Sequence, residues 1–374
     1  MRDRAVDALR AFAILGVVLG HWLVTAFVLP GGADDLRVTS PLAAMPALAP
    51  ISWVLQTLSV FFLVGGYSAA KGLRPDEPHG ARLRRRLGRL ARPLPVLLLA
   101  WVPALVLLRL AGFSPHGLYS IAGLVLSPLW FLCVYVALTA LAPVLVSVWN
   151  RLGLRGAVLL VGATAAIDAG RFALGAPGWI GWATVLTGWL VPFYLGIGWA
   201  RGGLRDRRTA LVLFLGGAAA TALLVAFAGY PASMVGVPGA EVSNLSPPTL
   251  AAVAFGLAQS GLALRLHGPL TTWTRHARVW RTVSAANRSA MTVFLWHQTA
   301  LLAVTTGVFL AAGSLPGLHT PPDQPEWILW RLSWLIAFGA ALTGIGALTR
   351  GFERPRARTG ANSVPARDIS QATP

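Results

Sequence analysis

Charge is what this chain has least of. Only 12% of its 374 residues are Asp, Glu, Lys or Arg, against roughly 25% in soluble globular domains, and the mean hydropathy is +0.64. Long apolar stretches recur along the whole length, which excludes a soluble domain carrying one anchor; the chain reads as a polytopic membrane protein. Acidic residues are scarcer still, 13 against 31 basic, for a net charge of +18. That surplus does not indicate nucleic acid, because the basic residues lie between apolar spans rather than on one soluble face. Cysteine is nearly absent. Cys133 alone, inside an apolar run, excludes an intramolecular disulfide and a paired-cysteine metal site, and reads as packing. Lysine is represented by Lys71 only, beside thirty arginines, the composition of a GC-rich bacterial genome.

Several motifs are missing as well. There is no G-x-S-x-G elbow, Walker A sequence or H-E-x-x-H, which argues against a serine hydrolase, a P-loop ATPase and a zinc enzyme. Gly66-Tyr67-Ser68-Ala69-Ala70 supplies half an elbow without its strand–turn–helix context. No persuasive internal repeat is present, which counts against a transporter built from inverted halves. No small-x-small cleavage site follows the first apolar run, so that run is expected to be retained as a first helix.

What is present is a series of apolar runs long enough to span a bilayer. They fall at about 8–29, 50–71, 93–111, 129–149, 155–170, 183–200, 209–228, 249–265, 289–312 and 327–349, the fifth being the shortest. The 117–127 stretch before Pro128 is expected to be re-entrant or interfacial. With the N-terminus inside, 27 of the 31 basic residues fall on the cytoplasmic side, leaving Arg37, Arg109, Arg171 and Arg331 outside. That asymmetry predicts an all-α bundle of about ten spans with both termini in. Residues 1–352 form one membrane-embedded domain, and 353–374, rich in Pro, Ser and Arg, have the composition of a disordered cytoplasmic tail.

Asp7, Arg10 and His21 interrupt the first span. Arg10 and His21 are 11 positions apart, three helical turns plus about 20°, and Asp7 lies three positions further back, so all three share one face. The axial separation of Arg10 and His21 is roughly 16 Å. Such a stripe should face the bundle interior, since an intramembrane charge costs several kcal/mol. Two readings stay open. Asp7 and Arg10 can be a local ion pair anchoring the helix, and His21 a neutral imidazole bonded to a carbonyl. Alternatively, His21 in a polar cavity is a proton acceptor.

Four further stretches carry candidates. In FFLVGGYSAAKG, residues 61–72, Gly65 and Gly66 let another backbone or a ligand approach closely. RLRRRLGRLAR, residues 82–92, has helix-compatible spacings at Arg82/Arg85 and Arg86/Arg89. It is either an anchor on anionic lipid or a site for a polyphosphorylated ligand. NRSAMTVFLWHQ, residues 287–298, places Trp296 as packing and His297 as a hydrogen-bonding neighbour of the site. In PLWFL, residues 128–132, Trp130 suits an interface.

Taken in order, these elements resemble the acyltransferase-3 family of integral membrane acyltransferases. The family's LDxLRAxAxxxVxxxH opening is matched by VDALRAFAILGVVLGH, Val6 to His21, and its FFxxSG[FY] by FFLVGGY, Phe61 to Tyr67. The R-x-x-R pattern falls within Arg82–Arg92; the WFL and YLWHxP elements fall at Trp130–Leu132 and Phe294–Gln298. Gly65 stands where the family usually has Ser, and Thr299 where it commonly has Pro. The resemblance implies transfer of an acyl group, often acetyl, from cytoplasmic acyl-CoA to a hydroxyl of a sugar, glycolipid or other small acceptor, without a metal, in the cytoplasmic membrane. It implies His21 as general base, Arg10 holding the donor, Asp7 orienting Arg10, and Arg82, Arg85, Arg86 and Arg89 meeting the coenzyme A phosphates. Phe61, Phe62, Gly66, Tyr67, Trp130, Trp296 and His297 would form the surroundings. The competing readings are a proton-coupled transporter or flippase of a lipid-linked sugar, using His21 and His297 as relay groups, and a non-catalytic scaffold.

Overall fold

A computed structural model describes residues 3–28, 37–74 and 76–353, apart from the side chains of Arg89 and 350–353. The tail expected from 353 onward lies, beyond Glu353, outside these residues.

The described chain is helical almost throughout. In order it forms α1 (Arg4–Val24), α2 (Pro41–Ala44), α3 (Ala49–Leu55), α4 (Leu58–Lys71), α5 (His79–Ala91) and α6 (Leu94–Leu110). There follow α7 (Pro115–Ala140), α8 (Ala142–Leu152), α9 (Leu154–Phe172), α10 (Thr184–Ala200) and α11 (Arg207–Phe227). The chain ends in α12 (Leu250–Trp273), α13 (Ala277–Arg288), α14 (Ala290–Ala312) and α15 (Pro325–Glu353). The strands β1 (Ala26–Val28) and β2 (Arg37–Thr39) pair antiparallel, Ala26 opposite Thr39. Among the described residues eight helices are long and apolar enough to cross a membrane, nine if α8 and α9 count as one bent span; α6 is a shorter apolar helix. This is an all-α, multi-pass membrane bundle.

The boundaries differ from the expected ones for local reasons. The first span starts earlier, because Asp3 caps the N–H groups of Ala5 and Val6. It ends at Val24, because Thr25 is extended and leads into β1. The second is broken: Gln56 at the end of α3 has an extended backbone, and the Thr57 hydroxyl donates to the carbonyl of Ala13 at 2.7 Å instead of continuing a helix. The 117–127 stretch is not a separate interfacial piece but the first half of α7, which runs through Pro128. Proline lacks the N–H that would satisfy the carbonyl of Leu124, and the Ser127 hydroxyl supplies a donor there at 2.8 Å. The expected 129–149 span stops at Ala140. Pro143, in the first turn of α8, cannot continue the ladder, and Gly153 at φ 53° turns α9 by 110° from α8.

Where backbones cross most closely, glycine is required. A Cβ on Gly66 of α4 would collide with the carbonyl of Phe193 on α10, and one on Gly196 of α10 with that of Leu63. Without an aqueous hydrophobic effect between spans, such close packing is what holds helices together. At one end of the bundle gather Asp3, Arg4, Tyr67, Lys71, α5 and α13. There Asp3 meets His267 at 3.0 Å, and Arg4 donates to the carbonyl of Thr274 and lies over Trp280. At the opposite end lie the β1–β2 pair, the 228–249 segment and the 313–324 loop. Trp53 there donates to the carbonyl of Ala232, and Ser52 accepts from the Met234 N–H.

Candidate active site at the two ends of α1

The α1 stripe forms as the spacing requires, and its two ends enter different surroundings. At the arginine-rich end, Arg10 donates to the Asp7 carboxylate at 3.0 Å, and Asp7 is 4% exposed. The same guanidinium reaches Ser68 Oγ on α4 at 2.6 Å and Asn287 Oδ1 at 3.5 Å, while the Asn287 amide donates to the Asp7 carbonyl at 2.8 Å. The local ion pair is therefore real, and it is also the hub joining α1, α4 and α13.

Ser68 ties this hub to the basic helix, because Arg86 donates to its carbonyl at 3.0 Å. Arg82 and Arg85 are committed elsewhere. Arg85 pairs with Glu77 at 2.7 Å, and Arg82 donates to the carbonyls of Arg74 and Glu77. The Arg89 side chain lies outside the described residues. Arg86 thus shares Ser68 with Arg10.

At the opposite end His21 and His297 face each other, ring centroids 5.1 Å apart. Both line a pocket of about 300 Å³ with Val17, Ser40, Gln56, Thr57, Ser127, Trp130, Phe131 and Phe294. His297 Nδ1 lies 2.8 Å from the carbonyl of Phe294. A carbonyl only accepts, so Nδ1 carries the proton and Nε2 the lone pair. Among the described residues Nε2 is buried with no partner, and so is Gln56 Oε1. Buried polar atoms are nearly always bonded, so these two, on residues that line the pocket, can accept hydrogen bonds from a guest. Among the described residues no hydrogen bond fixes the His21 ring, so its nitrogens are free to meet that guest.

The remaining sequence candidates divide. Phe61, Phe62, Phe131 and Phe294 form an aromatic cluster, with Phe61–Phe131 at 5.0 Å and Phe131–Phe294 at 5.3 Å; Phe131 and Phe294 belong to the pocket wall. Gly66 serves helix contact rather than a ligand. Tyr67 donates to Asp3 at 3.2 Å and belongs to the anchor at the arginine-rich end. There the Asp3 carboxyl, which burial would raise, is held down to about 2 by hydrogen bonds from His267, the Val6 N–H and Tyr67. Trp130 is 38% exposed at the pocket, and Trp296 is buried packing. Among the described residues no group of three or more His, Cys, Asp or Glu stands together to hold a metal.

Sequence reading passed over Ser68, Gln56, Trp22 and Arg331. Gln56 and Thr57 carried a signal, a polar pair inside an apolar run. Arg331 did too: it is a lone arginine amid tryptophans and leucines inside the 327–349 run, counted among the outer-side charges although it is 0% exposed. A second cavity, about 390 Å³ between α6, α7 and α14, is lined chiefly by apolar groups such as Phe27, Leu108 and Leu302. Its histidine, His319, has both ring nitrogens engaged, with Thr305 and Leu315.

No curated protein and no solved structure matches the chain. Residues 3–350 match the acyltransferase domain of the acyltransferase-3 family, which takes in both ends of α1, the α5 arginines and the His21–His297 pocket. The chain belongs to that family, and it is a membrane acyltransferase.

Proposed function

We propose that the protein moves an acyl group, acetyl in the simplest case, from acyl-CoA to a hydroxyl of a sugar, glycolipid or other small acceptor, with His21 as general base. The observation that carries this reading is the His21–His297 pair, facing across a pocket in which one imidazole nitrogen is buried without a partner.

The chemistry needs a nucleophilic oxygen, a proton acceptor and a place for the departing thiolate. The acceptor hydroxyl attacks the thioester carbonyl while the His21 ring takes its proton; the new C–O bond forms, the C–S bond breaks, and coenzyme A leaves as the thiolate. Such a base contributes about 10²–10⁴ in rate. Trp130 offers a half-exposed aromatic face and Gln56 an unpartnered amide oxygen, both suited to a polyhydroxylated acceptor.

Donor binding belongs to the arginine-rich end. Arg10 and Arg86 converge on Ser68, and guanidinium groups bind phosphate in forked geometry. In this reading that end is cytoplasmic, since basic loops stay inside, and the membrane is the cell's cytoplasmic membrane. The donor's phosphate end and the base then lie roughly 16 Å apart along α1, a distance the extended arm of the donor spans to bring its thioester to His21. Arg82 and Arg85, already engaged with Glu77, form the outer part of the basic surface.

His21→Ala tests the assignment. Transfer disappears while the protein still accumulates in the membrane; unchanged transfer would sink His21 as the base. Mass spectrometry of envelope glycans and secreted metabolites, with and without the gene, identifies the acceptor by a mass difference of one acyl group.

A further inference from the structure

We infer that Arg331 is a positioning residue for acyl transfer: it fixes the last turn of α1 so that His21 meets His297. The inference rests on the reading of His21 as the base.

Arg331 is the arginine of an apolar stretch, WILWRLSWLI, in α15, and it is fully buried. A charge kept inside a membrane span is expensive and ordinarily has a partner. Among the described residues Arg331 meets no carboxylate. Its donors go to three backbone carbonyls instead: Nε to Trp22 at 2.6 Å, one terminal nitrogen to Thr25 at 2.5 Å and the other to Gly317 at 2.9 Å. Trp22 and Thr25 close α1, where the final carbonyls lack helical partners and the dipole favours a cation. The rings of Phe338 and Trp327 hold the guanidinium, at 4.8 and 5.3 Å. Gly317 lies so close to α15 that a Cβ there would crowd the Arg331 N–H.

Trp22 passes this constraint on. It is the neighbour of His21 in sequence, and its indole donates to the carbonyl of His297 at 2.9 Å. Its ring also packs on Phe338 at 5.5 Å. One guanidinium therefore holds the backbone of Trp22, and Trp22 in turn holds the backbone of His297. The His21 ring has no hydrogen bond of its own among the described residues, so its place opposite His297 is set by its backbone. A lysine ammonium is a point donor and cannot span three carbonyls in a fork.

The test compares turnover with stability. Arg331→Lys lowers kcat about 10–100-fold with the KM for acetyl-CoA little changed, because an ångström of misplacement costs on the order of 10²-fold. Trp22→Phe lowers kcat as well. The double variant is no worse than the poorer single one, since both act through one link. Arg171→Lys, at a partly buried arginine of α9 paired with the buried Asp168, serves as control: it lowers Tm and leaves kcat alone. If Arg331→Lys does not accumulate, Phe338→Leu loosens the same guanidinium, with kcat expected to fall several-fold. Full turnover in Arg331→Lys or Phe338→Leu, or losses that add with Trp22→Phe, overturns the inference. Loss of transfer in His21→Ala alongside full turnover in these variants would overturn the Arg331 role alone. Retained transfer in His21→Ala would remove the base, and this role with it.

Discussion

Arg10 donates to the Ser68 hydroxyl at 2.6 Å while Arg86 donates to the Ser68 carbonyl at 3.0 Å, so one small residue of α4 draws together guanidinium groups from two separate helices. In the proposed function this pair of guanidinium groups meets the donor's phosphates. Arg10→Lys keeps the charge and loses the fork. The expected outcome is a KM for acetyl-CoA raised about tenfold or more, given that hydrogen bonds to charged groups contribute about 1.5–3 kcal/mol. Steady-state kinetics over donor concentration measure it, and an unchanged donor KM would remove Arg10 from the donor site.

Arg85 and Arg86 are adjacent in sequence and opposite in expected effect. Arg86→Ala should raise the donor KM about tenfold. Arg85, half exposed and paired with Glu77, should matter little, because exposed ion pairs are worth about 0–1 kcal/mol. Equal effects of the two substitutions would mean that the basic helix acts as a diffuse charged surface.

His297→Phe retains an aromatic ring in the pocket wall and deletes the unpartnered Nε2. A fall in kcat of about 10²-fold, with the purified protein still folded, is expected. Turnover close to wild type would show that His297 serves only to pack against His21.

Gly66→Ala places a methyl group against the carbonyl of Phe193. Overpacking of this kind costs about 1–3 kcal/mol, occasionally more, and should appear as a lower Tm with loss of accumulated protein. Gly88→Ala, in α5 with open space around it, should be neutral or slightly stabilising.

Asp3 gives a pH dependence. Its carboxyl is held down to about 2 from the ordinary 3.8, so the charged form is favoured by folding. The stabilisation is fully present above about pH 4 and is lost as pH falls through about 2. Tm measured between pH 5 and 2 should drop more steeply for the wild type than for Asp3→Asn; parallel curves would show that the Asp3–His267–Tyr67 cluster adds nothing.

The sequence by itself determined the class of fold and the stripe. Apolar run length fixes that the chain spans a bilayer, because unpaired backbone groups are intolerable in hydrocarbon. Helical periodicity alone puts Asp7, Arg10 and His21 on one face. The order of motifs was enough to bring the acyltransferase-3 family into view. What periodicity cannot supply is which residue of another helix stands opposite. That His297 faces His21, that Arg86 rather than Arg85 donates to Ser68 beside Arg10, and that Gln56 turns into the pocket where α3 breaks from α4 were decided by helix packing. Arg331 shows the limit most clearly: as a letter near the start of the last apolar run it reads as an outer-side charge, and only the fold reveals three carbonyls around it. Backbone groups carry no sequence identity, so a side chain that binds them leaves no partner residue to find.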